Sequence, residues 1–332
     1  MSFLVAEASV RLKKNHKLLR ISDLISWGKI ALLLGKMNRS GMGPCPYEPV
    51  MMMKALILQQ WHSLSDPELE EALRVRLDFM VFTGFEGEVP DETTLCRFRG
   101  KLIELNLLET IFKEINLDLE KQGLKVNPSK GAVVDATIIS SAGRPQKQMD
   151  AVVIDREEPV TVECHNLQLS SDADARWLKK GDKSYFGYKG FIITDSDKGF
   201  IEHVHVTSAN VSETRELKAV IEGLQMNCLY GDKGYASLEN REHLKNLNIE
   251  DGIMHRAFRN KPLTEDEKAK NHAISKKRFV VERCFGTLKR QFKFVRASYY
   301  TKAKVQAQMI LKAISYNLLK AFHCKKYMAR YA

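Results

Sequence analysis

The chain changes texture at Asn127-Pro128, and that change limits its fold more than any other feature. Up to residue 126 every ordered stretch reads as helix, and no strand signal occurs. Beyond it, short β-branched runs bounded by glycine alternate with amphipathic stretches. The order is β, ββ, α, β, α, β, α. A mixed sheet with helices on its faces suits that order; an all-β or all-α domain does not. The sequence therefore predicts an α/β chain, with an all-helical domain over residues 1–126 and a mixed-sheet domain over residues 127–325.

The first domain is punctuated by caps. VRLKKNHKLLRISDLISWGKIALLL gives one or two helices, and a basic arm, a dimerisation helix and a packing helix all fit. GMGPCPYEPV, residues 41–50, is a loop rich in breakers. Glu48 and Pro49 then open VMMMKALILQQWHSL, whose apolar density predicts a buried helix. Ser65 or Asp66 caps SDPELEEALRVRLDFMVFTGF, with Pro67 at its start. Asp91 caps DETTLCRFRGKLIELN, placing Leu95, Phe98 and Leu102 inward and Arg97, Arg99 and Lys101 outward. Residues 106–122 form a last helix, ending at Gly123. This is a helix-turn-helix candidate, with Arg97 and Arg99 as DNA contacts. An interaction bundle with a solvated basic face fits the same pattern.

In the second domain, KGAVVDATIISSAG reads as a strand, and residues 142–183 as a long polar excursion. KSYFGYKGFIITDSDKGFIEHVHVTS reads as two antiparallel strands joined at SDKG. Ser212 caps a helix to Glu222, QMNCLYGDKGYAS is a short apolar strand ending in Gly-Asp, LENREHLKNLN a helix and IEDGIMH a strand. Lys261 to Lys270 is charged and exposed. Ser275 to Arg296 is a helix, and Ala303 to Phe322 is a final packed one.

The charge balance narrows the partners. Lys and Arg number 52 against 41 Asp and Glu, a net charge of +11. That excess suits a polyanion, nucleic acid above all. The cysteines (Cys45, Cys96, Cys164, Cys228, Cys284, Cys324) are dispersed without a C-x-x-C pair, which predicts reduced thiols rather than disulfides or zinc. No apolar run is long enough to span a membrane, and MSFLVAEASVRLKK lacks the order of a signal peptide. The expectation is a cytoplasmic chain without a membrane partner. No P-loop or G-x-G-x-x-G occurs, so no nucleotide cofactor is expected.

Three carboxylates stand out. Asp135 sits within the apolar strand VVDATII, where an unpaired charge is costly. Asp232 ends a strand in LYGDKGY, with Gly231 and Gly234 leaving room for close approach. Glu282 lies on the late helix, on a stripe with Arg278, Lys289, Lys293 and Arg296, beside the apolar stripe of Val281, Phe285, Leu288 and Phe292. Convergence of the three would suit hard divalent cations and phosphodiester chemistry. Each also has a plainer reading: a strand-end acid bonded to backbone, a Gly-Asp-Lys-Gly turn, and a surface helix with i,i+4 ion pairs.

The segments VVDATII, LYGDKGY and RFVVERCFGTLK resemble the three acidic motifs of bacterial insertion-sequence DDE transposases, closest to the insertion-sequence-five group. In that family the third motif is Tyr, two residues, Arg, three residues, Glu, six residues, Lys. Arg278, Glu282 and Lys289 match at that spacing, and Ser275 replaces the Tyr. DADARWLKKGDKSYFGYKGFIITD and VTSANVSET are similar to segments between the first two acids. SLSDPELEEALRVRLDFMVFTGF and VPDETTLCRFRGKL are similar to the N-terminal helical domain. The likeness runs from about Glu48 to Phe322. It implies a ribonuclease-H-like catalytic fold and Asp135, Asp232 and Glu282 as catalytic, metal-binding residues for two Mg²⁺ ions, with Mn²⁺ able to substitute. Arg278, Lys289 and Lys293 would hold phosphate. The implied function is a transposase that binds terminal inverted repeats in double-stranded DNA as a homodimer, cuts at the element ends and joins the 3′-hydroxyl to target DNA. A nuclease without strand transfer and a non-catalytic repressor derived from a transposase are the alternatives.

Overall fold

The computed structural model describes residues 6–7, 10–12, 16–37, 47–125, 130–145, 170–259 and 261–331. Cys164, the expected loop around Cys45 and the boundary at residues 126–127 lie outside the described residues.

The helical part comprises α1 (Lys17–Ser22), α2 (Trp27–Leu34), α3 (Pro49–His62), α4 (Asp66–Val75), α5 (Leu77–Thr83), α6 (Glu92–Glu104) and α7 (Leu107–Lys121). Their starts follow the caps read in the sequence. Glu48 accepts from the Met51 amide, Ser65 and Glu68 form a capping box, and Asp91 accepts from the Thr94 amide. One expected helix is two. The chain breaks at Arg76, which is extended at ψ 116°. Its guanidinium then pairs with Asp78 at 2.6 Å and lies 4.0 Å from the Phe79 ring centroid. The break lets Leu69 and Leu73 of α4, and Phe79 and Phe82 of α5, all reach the core.

The second part comprises β1 (Ala132–Ser140), β2 (Arg176–Lys180), β3 (Lys183–Asp195), β4 (Ile201–Ser208), α8 (Glu213–Ile221), β5 (Cys228–Gly231), α9 (Leu238–Asn246), β6 (Glu250–Ile253), α10 (Glu265–Arg290) and α11 (Lys302–Tyr331). The strands join in one sheet in the order β4-β3-β1-β5-β6. β3 is antiparallel to β1 and β4, whereas β1, β5 and β6 run parallel. An antiparallel triplet extended by two parallel strands is the ribonuclease-H-like arrangement. β2 pairs with β3 inside the stretch read as a polar excursion. Its residues RWLKK are mostly exposed, so no burial period marks them as a strand.

Alternation along the strands sends side chains to two layers. Val133, Ile139 and Ile192 share a core with α10 and α11. Ala132, Val134, Phe191 and Ile193 share another with α8 and α9. The first core is continuous from Leu18 in α1 to Ala321 in α11, so helical part and sheet are packed as one body. Asn317 of α11 fixes that junction. Fully buried, it donates to Asn116 of α7 and to the Ile201 carbonyl, both at 2.8 Å, and accepts from the Ile201 amide. Among the described residues no helix is long and apolar enough to cross a membrane, and Cys96, Cys228, Cys284 and Cys324 are free thiols.

Candidate active site

The parallel pairing of β1 with β5 sets two aspartates side by side. Val133 is level with Tyr230. Two residues on along each chain come Asp135 and Asp232, close to the carboxyl end of the parallel strands. Ligands gather at such ends in α/β sheets because loops leave the strands there and the edge is open. Asp232 caps a single 3₁₀ turn (Lys233–Tyr235), its Oδ1 accepting from the Gly234 amide at 2.7 Å. Asp135 accepts through Oδ1 from the Ala136 amide at 2.8 Å. Burial raises its carboxyl to about 6; Arg278 pulls it down, and the neighbouring Asp232 pushes it up.

Arg278 comes from α10, which crosses the sheet. Its Nη2 donates to Asp135 Oδ2 at 3.0 Å, and both side chains are largely buried. Among the described residues its Nη1 meets only the Met254 thioether, at 3.8 Å, and its buried Nε has no partner. The segment after α10 is laced to the end of β1. Ser140 donates its amide to the Val295 carbonyl at 3.0 Å and accepts from the Ala297 amide at 2.8 Å. Strand and helix are thus tied at two points.

α10 differs from its expected span. It begins at Glu265, ahead of Ser275, because Thr264 and Glu267 make a capping box from within the charged stretch. It ends at Arg290. Lys293 lies beyond, at φ 50°, and Arg296 binds the Ser141 and Ala142 carbonyls. The continuous stripe through Lys293 and Arg296 therefore does not exist. Lys293 instead comes within electrostatic reach of Glu68 and Lys312. Lys289 stays on the helix; burial lowers its ammonium, Lys180 of β2 lowers it further, and Asp135 opposes both. Lys180 is therefore a cation of this site that β2's missing period concealed.

Glu282 lies one turn beyond Arg278, with its side chain exposed. It borders a shallow cavity of about 400 Å³ with His272, Ser275, Lys276 and Phe279. Among the described residues no three His, Cys, Asp or Glu side chains close into one ligand set. The structure brings Asp135, Asp232 and Arg278 together; Glu282 borders a separate shallow cavity that neither aspartate lines.

Arg99 requires a correction. Expected outward as a DNA contact, it is 3% exposed. Its fork binds both oxygens of Asp66, at 2.9 and 2.6 Å, and its guanidinium lies 4.1 Å from the Tyr299 ring centroid. The spacing could have shown this, since Arg99 is four residues after Leu95 and three before Leu102, on their face. Arg97 is exposed. Sequence reading also missed Glu213, Lys189 and Tyr235, which gather beside Asp232; no local pattern links them.

The donor set fits a hard cation: two carboxylates lie close enough that Asp232 raises the cost of ionising Asp135, and carboxylate oxygens are the ligands such a cation takes. The class so defined is a ribonuclease-H-like protein with an acidic site at its parallel strand ends. A family profile described as the transposase DDE domain matches residues 127–318, and one described as a transposase domain (DUF772) matches residues 6–101. The chain is 42% identical, over 260 residues, to the transposase for insertion sequence element IS1106 of Neisseria meningitidis serogroup B, covering 78% of this chain and 86% of that protein. Similar solved structures include a piggyBac transposase synaptic complex with hairpin DNA, at 11% identity, TM-score 0.44 and coverage of 92% and 75% of the two chains. The Mos1 strand transfer complex is similar at 13% identity, TM-score 0.21 and coverage of 86% and 80%. The chain belongs to the DDE transposase family and is an insertion-sequence transposase.

Proposed function

We propose that this protein binds the terminal inverted repeats of its insertion sequence, cuts at the element ends and joins the freed 3′-hydroxyl to target DNA. The observation that carries this reading is Asp135 in β1 and Asp232 just past the end of the neighbouring parallel strand β5, with Arg278 reaching over from α10 to Asp135. Asp135, Asp232 and Glu282 would hold two Mg²⁺ ions, for which Mn²⁺ can substitute. Bound there, such ions supply Lewis acidity toward the phosphodiester and the attacking oxygen.

The chain's own side chains do the rest. Arg278 neutralises the buried Asp135 carboxylate. Released from it, the guanidinium fork is free to take a DNA phosphate. Lys289, beside Lys180, makes a cationic approach to the same strand end. Arg97 lies exposed on α6 and contributes to contacts with the element end, within a helical region, residues 1–126, assigned to end recognition. Two ends must be joined, so the working form is a homodimer on DNA.

A strand-transfer assay tests this. Protein, Mg²⁺, a labelled duplex carrying the element's end and a supercoiled plasmid are mixed. Labelled plasmid joints that vanish in Glu282→Gln are expected. Cutting without joining would make the protein a nuclease, and binding without cutting would make it a repressor.

A further inference from the structure

Asp232 has a second acidic neighbour that lies outside the three acidic motifs. Glu213 opens α8, and its Oε2 turns toward the Asp232 loop. A Cβ placed on Gly234 would lie 2.8 Å from Asp232 Oδ1 and 2.8 Å from Glu213 Oε2. The two oxygens therefore flank one gap, no more than twice that distance apart, and glycine keeps it empty. The frame around the gap is built. Thr214 Oγ1 donates to the Gly234 carbonyl at 2.7 Å, clasping the start of α8 to the loop. Asn240, 2% exposed, donates to the Thr214 and Tyr235 carbonyls at 3.0 and 2.8 Å.

Two further groups lie near these carboxylates. Lys189 of β3, 6% exposed, donates to the Val211 carbonyl at 2.7 Å and lies 3.4 Å from Glu213 Oε1. That contact engages one Glu213 oxygen, while Oε2 accepts no hydrogen bond among the described residues. Tyr235 is fully buried, and its hydroxyl has no hydrogen-bond partner among the described residues. It lies within electrostatic reach of Asp135, Glu213 and Asp232. Leaving a buried hydroxyl unpaired is costly to a folded core. A folded core tolerates that where a ligand completes the set. A solvated acid at a helix start would complement the helix dipole as well from any rotamer. It would need neither a buried lysine nor a glycine opposite.

We propose that Glu213 is a further acidic residue of the active site, sharing with Asp232 the gap over Gly234 and helping to hold a divalent cation there. Lys189, held by the Val211 carbonyl and 3.4 Å from Glu213 Oε1, is a positioning residue that orients Glu213. The proposal rests on the reading of Asp135 and Asp232 as cation ligands, and its test separates the two.

The test is Mn²⁺ binding to the full chain without DNA, followed by the loss of the free-ion electron paramagnetic resonance signal. Thermal melting of each variant without metal checks that it is folded. Glu213→Gln is expected to weaken Mn²⁺ binding roughly tenfold or more, with melting unchanged or slightly raised. Asp232→Asn weakens it further. Gly234→Ala fills the gap and reproduces the loss without removing a charge, and Glu213→Asp recovers part of the affinity. Wild-type Mn²⁺ binding in Glu213→Gln, with binding lost in Asp232→Asn, would overturn the proposal and leave the aspartate reading standing. Wild-type binding in Asp232→Asn would overturn both.

Discussion

Among the described residues two arginine–aspartate pairs are largely buried, and they are built differently. Arg99 and Asp66 close a network. The fork is bidentate, Gln59 bonds to both partners at 2.5 and 3.2 Å, and Tyr299 covers the guanidinium. Arg278 and Asp135 leave theirs open. A single charged hydrogen bond of 3.0 Å joins them, with a thioether on one side and an orphaned Nε. A closed network holds a core together and has no bonding capacity left for a ligand. An open one carries a desolvation cost that a cation or a phosphate can relieve. The difference separates a structural pair from a functional one, although both look alike as residue types.

The largest expected effect falls on the open pair. Asp135→Asn should lower end cleavage on the order of a thousandfold while gel-shift binding to the element end persists. Retained Mg²⁺-dependent cleavage would sink the assignment. On the closed pair the loss should be structural. Arg99→Ala should destabilise by about 3–5 kcal/mol in urea unfolding, since it strands a buried carboxylate. Arg99→Lys should recover little, because an ammonium cannot reproduce the fork. Arg278→Ala should cost only about 1–2 kcal/mol, since one hydrogen bond is lost and Asp135 can take up a proton, yet strand transfer should fall. Equal destabilisation by the two alanine variants would break the comparison.

Lys312 sharpens it from the side of the neutral partners. The ammonium is 3% exposed and donates to the Phe292 and Gln60 carbonyls and to Ser63 Oγ, at 2.6, 3.2 and 3.1 Å. No carboxylate balances it among these contacts. Burial, with Lys293 adding to it, pushes it down to about 7 from 10.5. The unfolded chain therefore holds more protons between those values, and stability should rise as pH increases from about 7 to 10.5. Melting temperatures across that range should show the rise in the wild type and a smaller one in Lys312→Met. The smallest effects belong to exposed cations. Lys289→Ala and Arg97→Ala should each reduce the salt dependence of DNA binding by about one ion, where Arg278→Ala without metal, its charge already neutralised by Asp135, leaves it nearly unchanged.

Local chemistry made much of the fold legible. Glu48, Ser65 and Asp91 announce their helices because a cap is a contact between residues three apart. The hairpin of β3 and β4 announces itself by β-branched runs around SDKG. The Thr264–Glu267 box was legible in the same way, but polar residues around it read as loop. β2 was not legible, because a strand exposed on nearly every residue leaves no period to read.

By itself the sequence determined the order of elements, the cationic balance and the placing of Asp135 in a strand, Asp232 at a strand end and Glu282 on a helix. Those properties depend on short-range backbone preference and on which side chains water rejects. Only the tertiary structure decided which charges are paired. Arg99 turned inward to Asp66, Arg278 crossed to Asp135, Lys180 came up beside Lys289, and Glu213 faced Asp232 across Gly234. A charge's partner is set by distance in space, and the energy of the pair by the water excluded around it. Neither quantity exists until the sheet has folded and the helices have closed over it.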